Sequence, residues 1–168
     1  MRVAVTGTPG TGKTTATELL ETDLDVVHLN DVIKSEGFST GTDEERGSLV
    51  ADMDALGEWL ADREDCVVES HLAHNFDADR VVVLRAHPDT VVSRLRERGD
   101  TDAKAYENAE SEALDVILSE AVHHHGAESA YEIDTTDRDP EAVAQAITAV
   151  VEGEREPSAG TVSYVDWL

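Results

Sequence analysis

Cysteine, aromatic residues and long apolar runs are scarce in this 168-residue sequence. Cys66 stands alone, which excludes a disulfide framework and a cysteine metal site. No apolar run approaches the length of a membrane span, and "MRVAVTGTPG" leads into a motif without a secretory leader. Aromatic residues make up 4% of the chain, so small aliphatic side chains must fill the core. We therefore expect one compact domain in a soluble, cytoplasmic protein.

Positive charge is also scarce. Lys and Arg number 13 against 37 Asp and Glu, which gives a formal net charge of −24. The acids are spread along the whole chain, which favours adaptation to a high-salt cytoplasm over binding of a basic partner, because salt screens self-repulsion. Strong non-specific binding to nucleic acid is not expected, since it requires a basic face. An RNA contact would have to be local or carried by a partner.

The few cations are informative for the same reason. The lysines are Lys13, Lys34 and Lys104, and four of the ten arginines lie within fourteen residues, at positions 85, 94, 96 and 98. Cations that persist in an acidic chain are candidates for anion binding. The alternative is a helix with surface ion pairs, which we prefer for Arg96.

Short aliphatic runs alternate with helical patterns along the chain. The runs lie at residues 2–6, 25–29, 66–70, 80–85 and 130–134. This alternation predicts an α/β fold of the P-loop type, with a five-stranded parallel sheet and helices on both faces. Ligands bind such sheets beyond the carboxyl ends of the strands.

The helical patterns differ in clarity. Helices are predicted over residues 13–22, 88–99, 101–125 and 139–151, and an interrupted helical pattern runs from residue 30 to 63, broken by Gly37 and Gly41. The domain is expected to span residues 1–151. Residues 152–168 form a polar tail that ends in "VSYVDWL". Disorder is the default for a terminus, and docking on the domain or on a partner is the alternative.

One motif carries most of the functional argument. "GTPGTGKTT", residues 7–15, fills the G-x-x-x-x-G-K-[ST] pattern between a predicted strand and a predicted helix. In this motif backbone N–H groups surround a phosphate, the lysine bridges the β- and γ-phosphates, and the hydroxyl binds Mg²⁺. We therefore predict a site for ATP and Mg²⁺, with Thr14 as a metal ligand. Its nucleotide contacts would be Gly7, Pro9, Gly10, Thr11, Gly12, Lys13, Thr14 and Thr15.

The destination of the phosphoryl group depends on the other residues around it. A GTPase switch needs an N-K-x-D signal, which is absent, and motor and AAA-type ATPases need more chain than this. Nucleotide and small-molecule kinases need cations that follow the transferred group. Arg94 and Arg98 share a helix face and, with Arg85 and Lys104, suit that class. Residues 99–104 would form a short lid over the phosphates.

Four segments together resemble a known family: "RVAVTGTPGTGKTT", "VVESH", "VVVLRAHPDTVVSRLRERG" and "KAYENAESEAL". They are similar to the archaeal and eukaryotic adenylate kinase isoenzyme 6 type over about residues 2–150. The resemblance implies transfer of the ATP γ-phosphate to AMP or another nucleoside monophosphate, with ATP hydrolysis as a second activity. It also implies a small-subunit ribosomal protein or the pre-ribosome as a partner. The rival hypothesis is an assembly ATPase of ribosome biogenesis with little or no kinase role.

The resemblance implies roles for individual residues near the phosphates. Glu69 is similar to a Walker B carboxylate that orders Mg²⁺, with Glu where the family often has Asp, and His71 would support phosphate chemistry or hydrolysis. Arg94 and Arg98 resemble two lid-hinge arginines, one over the adenine and one on the phosphates. Without the resemblance, Glu69 is still a plausible strand-end acid near Mg²⁺, whereas His71 is more often a plain loop histidine. The implied catalytic set is Lys13, Glu69, His71 and Arg98.

The resemblance also implies an acceptor site within residues 30–63. Asp31 and Lys34 match an Asp-x-x-Arg element in which Lys replaces Arg, and Lys lacks the bidentate fork of Arg. Arg85 resembles a cation that faces the acceptor phosphate. The loop from Thr135 to Asp137 would flank the adenine, with Asp137 among the nucleotide contacts.

Overall fold

The computed structural model describes residues 1–44 and 48–168. Within the part it describes, no helix is long and apolar enough to cross a bilayer. The elements follow in chain order: β1 (Arg2–Gly7), α1 (Lys13–Thr17), β2 (Asp25–His28), α2 (Leu29–Glu36), β3 (Ser39–Asp43), β4 (Ser48–Ala51), α3 (Met53–Ala61), β5 (Cys66–Glu69), β6 (Arg80–Arg85), α4 (Pro88–Glu97), α5 (Asp102–Ala113), α6 (Val116–His125), β7 (Ala130–Asp134) and α7 (Pro140–Val151).

Five of these strands form a parallel sheet in the order β2-β5-β1-β6-β7, which confirms the predicted fold class. β1 lies at the centre, where Val5 pairs with Glu69 of β5 and with Val82 of β6. The loop after β1 therefore leaves the sheet beside the carboxyl ends of β5 and β6. This is the edge at which ligands bind in such sheets.

The central strands are buried on both faces because alternate side chains point to opposite sides. Val3 and Val5 join Ile147 of α7 in the core on one face. Ala4 joins Leu56 of α3 in the core on the other face. A third, smaller apolar cluster joins α4 to α5.

The single helix predicted over residues 101–125 is wrong. α5 ends at Ala113, and Asp115 adopts a left-handed φ of 56° before α6 begins. The break has a tertiary cause, because the Arg85 guanidinium donates a hydrogen bond to the Asp115 carboxylate at 2.6 Å. The bend allows α5 to pack on α4 while α6 packs on the sheet.

The segment from residue 30 to 63 also differs from its helical prediction. Gly37 ends α2 with a φ of 70°, and β3 pairs antiparallel with β4 before α3 begins. The connection between these two strands, residues 45–47, lies outside the described residues. α1 is shorter than predicted, since it ends at Thr17, and Leu19 is exposed while Leu20 reaches the core.

The C-terminal tail, residues 152–168, is docked on the domain. The backbone N–H of Ser158 donates to the carbonyl oxygen of Ala130 at 3.0 Å, at the outer edge of β7. Trp167 packs against the apolar cluster between α4 and α5. Of the two alternatives that the sequence leaves open, docking is the one observed.

Candidate functional site

The loop between β1 and α1 has a backbone that glycine adopts readily and other residues do not. Gly10 and Gly12 have φ values of 93° and 88°. A Cβ atom on Gly7 would lie 2.6 Å from the carbonyl oxygen of Leu84, so no larger residue fits there. The glycines of the motif therefore permit a turn that is both tight and close to the end of β6.

Lys13 folds back over this loop. Its Nζ donates to the carbonyl oxygens of Gly7 at 2.9 Å and Thr8 at 3.2 Å. Burial lowers the pKa of Lys13 to about 8, although the neighbouring Glu69 carboxylate acts to raise it. An ammonium group carries three N–H donors. One donor is therefore left for an anion after these two hydrogen bonds.

Glu69, at the end of β5, faces the start of α1. Its Oε1 accepts a hydrogen bond from the Thr14 hydroxyl at 3.0 Å and lies 2.8 Å from His28 Nδ1. A hydroxyl beside a carboxylate supplies the hard oxygen donors that Mg²⁺ prefers, so these residues fit the predicted metal. The contact with His28 was not predicted. The available signal was the register, since His28 and Glu69 are directly paired at the ends of β2 and β5.

A cleft of about 410 Å³ extends from this loop to the loop after β7. Arg94 spans the cleft, because its Nη1 donates to the carbonyl oxygen of Gly10 at 3.2 Å and its Nη2 to that of Thr135 at 3.0 Å. Arg98 also lines the cleft and pairs with Asp100 at 2.6 Å. Arg94 of α4 and Arg98, which directly follows α4, thus lie in one cleft with the glycine-rich loop.

The loop after β7 forms the opposite wall. Thr135, Arg138 and Pro140 line the cleft, whereas Asp137 is exposed and lies outside the lining. Arg138 was not predicted, because side-chain direction in a loop follows no period that a sequence pattern could reveal.

A second cleft, of about 460 Å³, shares Lys13, Thr14 and Arg98 with the first. Glu69 and His71 lie in its lining beside these shared residues, and further lining comes from Pro9, Asn30, Lys104 and Asn108. Two clefts that meet at a lysine, a hydroxyl and an arginine can bring two ligands together at a shared anionic group. The geometry therefore suits group transfer between two bound molecules.

His71 is a neutral group in this cleft. Burial lowers its pKa to about 4, and the Lys13 ammonium is the next contribution in the same direction. At pH 7 the imidazole can accept a proton or orient a water molecule, but it carries no positive charge with which to stabilise a phosphate.

The predicted acceptor residues lie elsewhere. Asp31 and Lys34 are exposed on α2 and neither lines the second cleft. The assignment of Arg85 to an acceptor is wrong. Its side chain is 1% exposed and donates to the carboxylates of Glu112 and Glu132, each at 2.8 Å. Burial alone would lower the pKa of Arg85, but the surrounding carboxylates outweigh it and raise the pKa.

The predicted lid, residues 99–104, consists of a tight turn and the start of α5. Gly99 has a φ of 97°, and the Thr101 hydroxyl caps α5 by accepting from the Lys104 N–H at 3.2 Å. Arg96 pairs with Asp102 across the turn at 2.8 Å, and both side chains are exposed. The interpretation of Arg96 as a surface ion pair is confirmed.

Comparison with known sequences gives a consistent family. A family model described as an AAA domain matches residues 3–115, which overturns the exclusion of AAA-type proteins by chain length. A relative from Natronomonas pharaonis is 64% identical, and one from Halobacterium salinarum is 63% identical, with full coverage of both chains in each case. A relative from Methanothermobacter thermautotrophicus is 43% identical over 99% of this chain and 98% of its own. All three are named "Putative adenylate kinase".

Solved structures show the same fold at low identity. A shikimate kinase from Acinetobacter baumannii, in complex with shikimate, has a TM-score of 0.62 and 16% identity over 92% of this chain and 94% of its own. A sugar kinase from Janibacter sp. HTCC2649 has a TM-score of 0.56 and 18% identity over 90% and 94% of the two chains. These similarities concern the fold alone. From the glycine-rich loop, the family match and the archaeal relatives, we conclude that this chain belongs to the AAA-domain family of P-loop proteins.

Proposed function

We propose that this chain is a nucleoside monophosphate kinase that transfers the γ-phosphoryl group of ATP to AMP. The proposal depends on one observation above all: two clefts meet at Lys13, Thr14 and Arg98. Hydrolysis alone would need one nucleotide cleft and a path for water, whereas transfer needs a second ligand site beside the phosphates. The kinase names of the relatives support this choice.

The first cleft suits ATP. Its phosphates would lie over the glycine-rich loop, within reach of the remaining donor of Lys13, and its base would lie between α4 and the loop after β7. Thr14 and Glu69 would hold Mg²⁺, which would neutralise the charge that develops on the phosphates during transfer.

The second cleft suits the acceptor. Arg98 and Lys104 would attract the AMP phosphate, since they supply positive charge in a chain that otherwise avoids it. An oxygen of that phosphate forms the new bond to the γ-phosphorus while the bond to the bridging β–γ oxygen breaks, and the products are two ADP molecules. Asp31 directly follows Asn30, which lines this cleft, and Lys34 lies about one helical turn beyond Asn30 on α2. We retain both as proposed outer contacts that would approach the acceptor if α2 moved inward.

A coupled assay in high salt tests the proposal by comparing ATP alone with ATP plus each nucleoside monophosphate. We expect ADP formation that depends on AMP and saturates with it. ATP turnover that ignores AMP but rises with a small-subunit ribosomal protein or pre-ribosomal RNA would instead support the assembly ATPase. The isoenzyme 6 resemblance is the basis for testing those two additions.

His71 is proposed to assist ATP hydrolysis as a second activity. Replacing His71 with glycine should lower the rate of ATP hydrolysis by roughly tenfold or more, because a neutral imidazole that orients water is lost. The dissociation constant for ATP should change far less, since His71 carries no charge. The control is His124→Ala, on the exposed side of α6. Equal losses in rate and affinity would contradict the proposed role.

ATP binding is expected to depend on pH through Lys13. The pKa of Lys13 is about 8 in the free protein, and a bound triphosphate must raise it by favouring the ammonium. Below pH 8 affinity should therefore be flat. Above it, binding must take up a proton, so affinity should fall by up to roughly tenfold per pH unit. Calorimetry at pH 7 and pH 9 in two buffers should detect proton uptake only at pH 9. Constant affinity up to pH 9.5 would contradict the assignment.

The acidic surface is proposed to be an adaptation to high salt. With a net charge of −24, self-repulsion should be large in dilute buffer and screened in molar KCl. Thermal unfolding should therefore shift to higher temperature as KCl rises. An unfolding temperature that is equally high in dilute buffer would show that the charge has another origin.

A further inference from the structure

The C-terminal tail follows the exposed edge of the sheet toward the nucleotide cleft. β7 is an end strand of the sheet, and the tail bonds to it along its length. Ser158 Oγ accepts from the N–H of Glu132 at 2.9 Å, and the N–H of Thr161 donates to the Glu132 carboxylate at 2.9 Å. These hydrogen bonds fix the tail alongside β7, whose carboxyl end leads into the cleft.

The end of the tail makes three polar contacts with the two segments that form the walls of this cleft. The Tyr164 hydroxyl donates to the carboxylate of Asp134 and lies 3.2 Å from Thr136 Oγ1. Trp167 Nε1 donates to Asp89 Oδ1, in the first turn of α4, at 2.8 Å. One aromatic residue thus holds the loop after β7, and the other holds the helix that faces it.

The first anchor point flanks a residue that lines the cleft, and the second lies on the helix that leads to two others. Thr135 lies between Asp134 and Thr136, and its hydroxyl donates to the carbonyl oxygen of Thr11 in the glycine-rich loop at 2.9 Å. α4 carries Arg94 and is directly followed by Arg98. Tyr164 and Trp167 do not themselves line the cleft. Any effect on nucleotide binding must therefore pass through the two walls.

A hydrogen bond also joins the two walls of the cleft directly. The backbone N–H of His87, which caps α4, donates to Thr136 Oγ1 at 2.9 Å, and the His87 ring lies edge-to-face with Tyr164 at 5.3 Å between centroids. Burial, followed by the bond to Asp134, raises the pKa of Tyr164 to about 12, so the hydroxyl keeps its proton over the physiological range.

We propose that Tyr164 and Trp167 are positioning residues that hold the loop after β7 and α4 at the spacing that ATP requires. The inference rests on the proposed function only in naming ATP as the occupant of the first cleft. The physical basis is preorganisation, because walls that are already ordered lose less conformational freedom when the ligand binds. The acceptor cleft contains neither anchor point and shares Arg98, at the far end of α4, with the first cleft, so acceptor binding should change less than ATP binding.

The test is the variant Tyr164→Phe, which removes one hydroxyl and keeps the ring. The dissociation constant for a non-hydrolysable ATP analogue with Mg²⁺ should rise about fivefold, since a hydrogen bond to a charged group is lost and its effect is transmitted in part. Trp167→Phe should act in the same direction. The dissociation constant for AMP should rise less than that for the analogue in both. The matched control is Val165→Ala, in the same turn of the tail and exposed.

Amide hydrogen exchange without nucleotide supplies a second readout. In Tyr164→Phe the amide of Thr136, which donates to Asp134 Oδ1 at 3.0 Å, should exchange faster than in the wild type. ATP affinity equal to that of Val165→Ala would overturn the proposal. Equal losses for ATP and AMP with a lower unfolding temperature would overturn it too, by showing a merely structural role. If the wild type binds the analogue but does not phosphorylate AMP, the proposed function is wrong. The effect of the tail variants on analogue binding can still be measured in that case.

Discussion

Replacing Lys13 with alanine is expected to abolish ATP binding and turnover. Truncating one partner of a buried, hydrogen-bonded charge pair costs about 2–5 kcal/mol, which corresponds to roughly 30-fold to several-thousandfold in the dissociation constant. Lys13 is 8% exposed, so water cannot replace its charge at the phosphates. Calorimetry with the Mg²⁺ complex of an ATP analogue measures the loss, and a coupled assay of ADP formation measures turnover.

The fold should survive this substitution. Burial lowers the pKa of Lys13, which means that the folded protein disfavours the ammonium and that its removal relieves an electrostatic penalty. The unfolding temperature of Lys13→Ala should therefore stay close to that of the wild type. Arg96→Ala is the control, because it removes an exposed cation that lines neither cleft. Wild-type turnover in Lys13→Ala would remove the phosphate-site assignment.

Replacing Arg85 with alanine should have the largest effect on stability. The substitution leaves the carboxylates of Glu112 and Glu132 buried, at 3% and 2% exposure, without their cation. Breaking a buried ion pair in this way costs about 3–5 kcal/mol in the free energy of unfolding. For a chain of this size the unfolding temperature should fall by on the order of 10 °C. Thermal unfolding in high salt measures the change.

Two further variants determine the cause of that loss. Arg85→Met combined with Glu112→Met should recover part of the stability, because one of the two buried carboxylates left without a cation is then removed. Arg96→Ala, which breaks an exposed pair, should leave the unfolding temperature nearly unchanged. If Arg85→Ala were as stable as the wild type but needed more AMP for half-maximal rate, the acceptor role expected from the sequence would be restored.

The structural role of Arg85 could not be inferred from the sequence. Its position at the end of a strand and its place in a cluster of arginines were both visible, and both suggested a ligand. Its carboxylate partners Glu112, Asp115 and Glu132 lie 27 to 47 residues away in the chain, so nothing local could reveal them. The same contact breaks the helix predicted over residues 101–125, because it holds Asp115 in a left-handed conformation.

The two clefts likewise combine a loop that the sequence predicts with residues that only the tertiary structure brings to it. The glycine-rich motif predicted the tight loop after β1 because its glycines act locally, through backbone angles that other residues avoid. Other residues that close the clefts, such as Arg138 and Asn108, come from a loop and a helix that meet the motif only after folding. Their positions depend on how α5 and the loop after β7 pack, which no periodicity encodes.

The amino-acid order alone determined the five aliphatic strands, the parallel sheet and the place of the loop that follows β1. Those features depend on short-range alternation and on the conformational freedom of glycine, so neighbours in the chain suffice to specify them. The tertiary structure decided the rest: which cations line the clefts, where α5 stops, and that the tail docks on the domain. Each of these depends on charges and surfaces that are distant in the chain and become neighbours only once the core has formed.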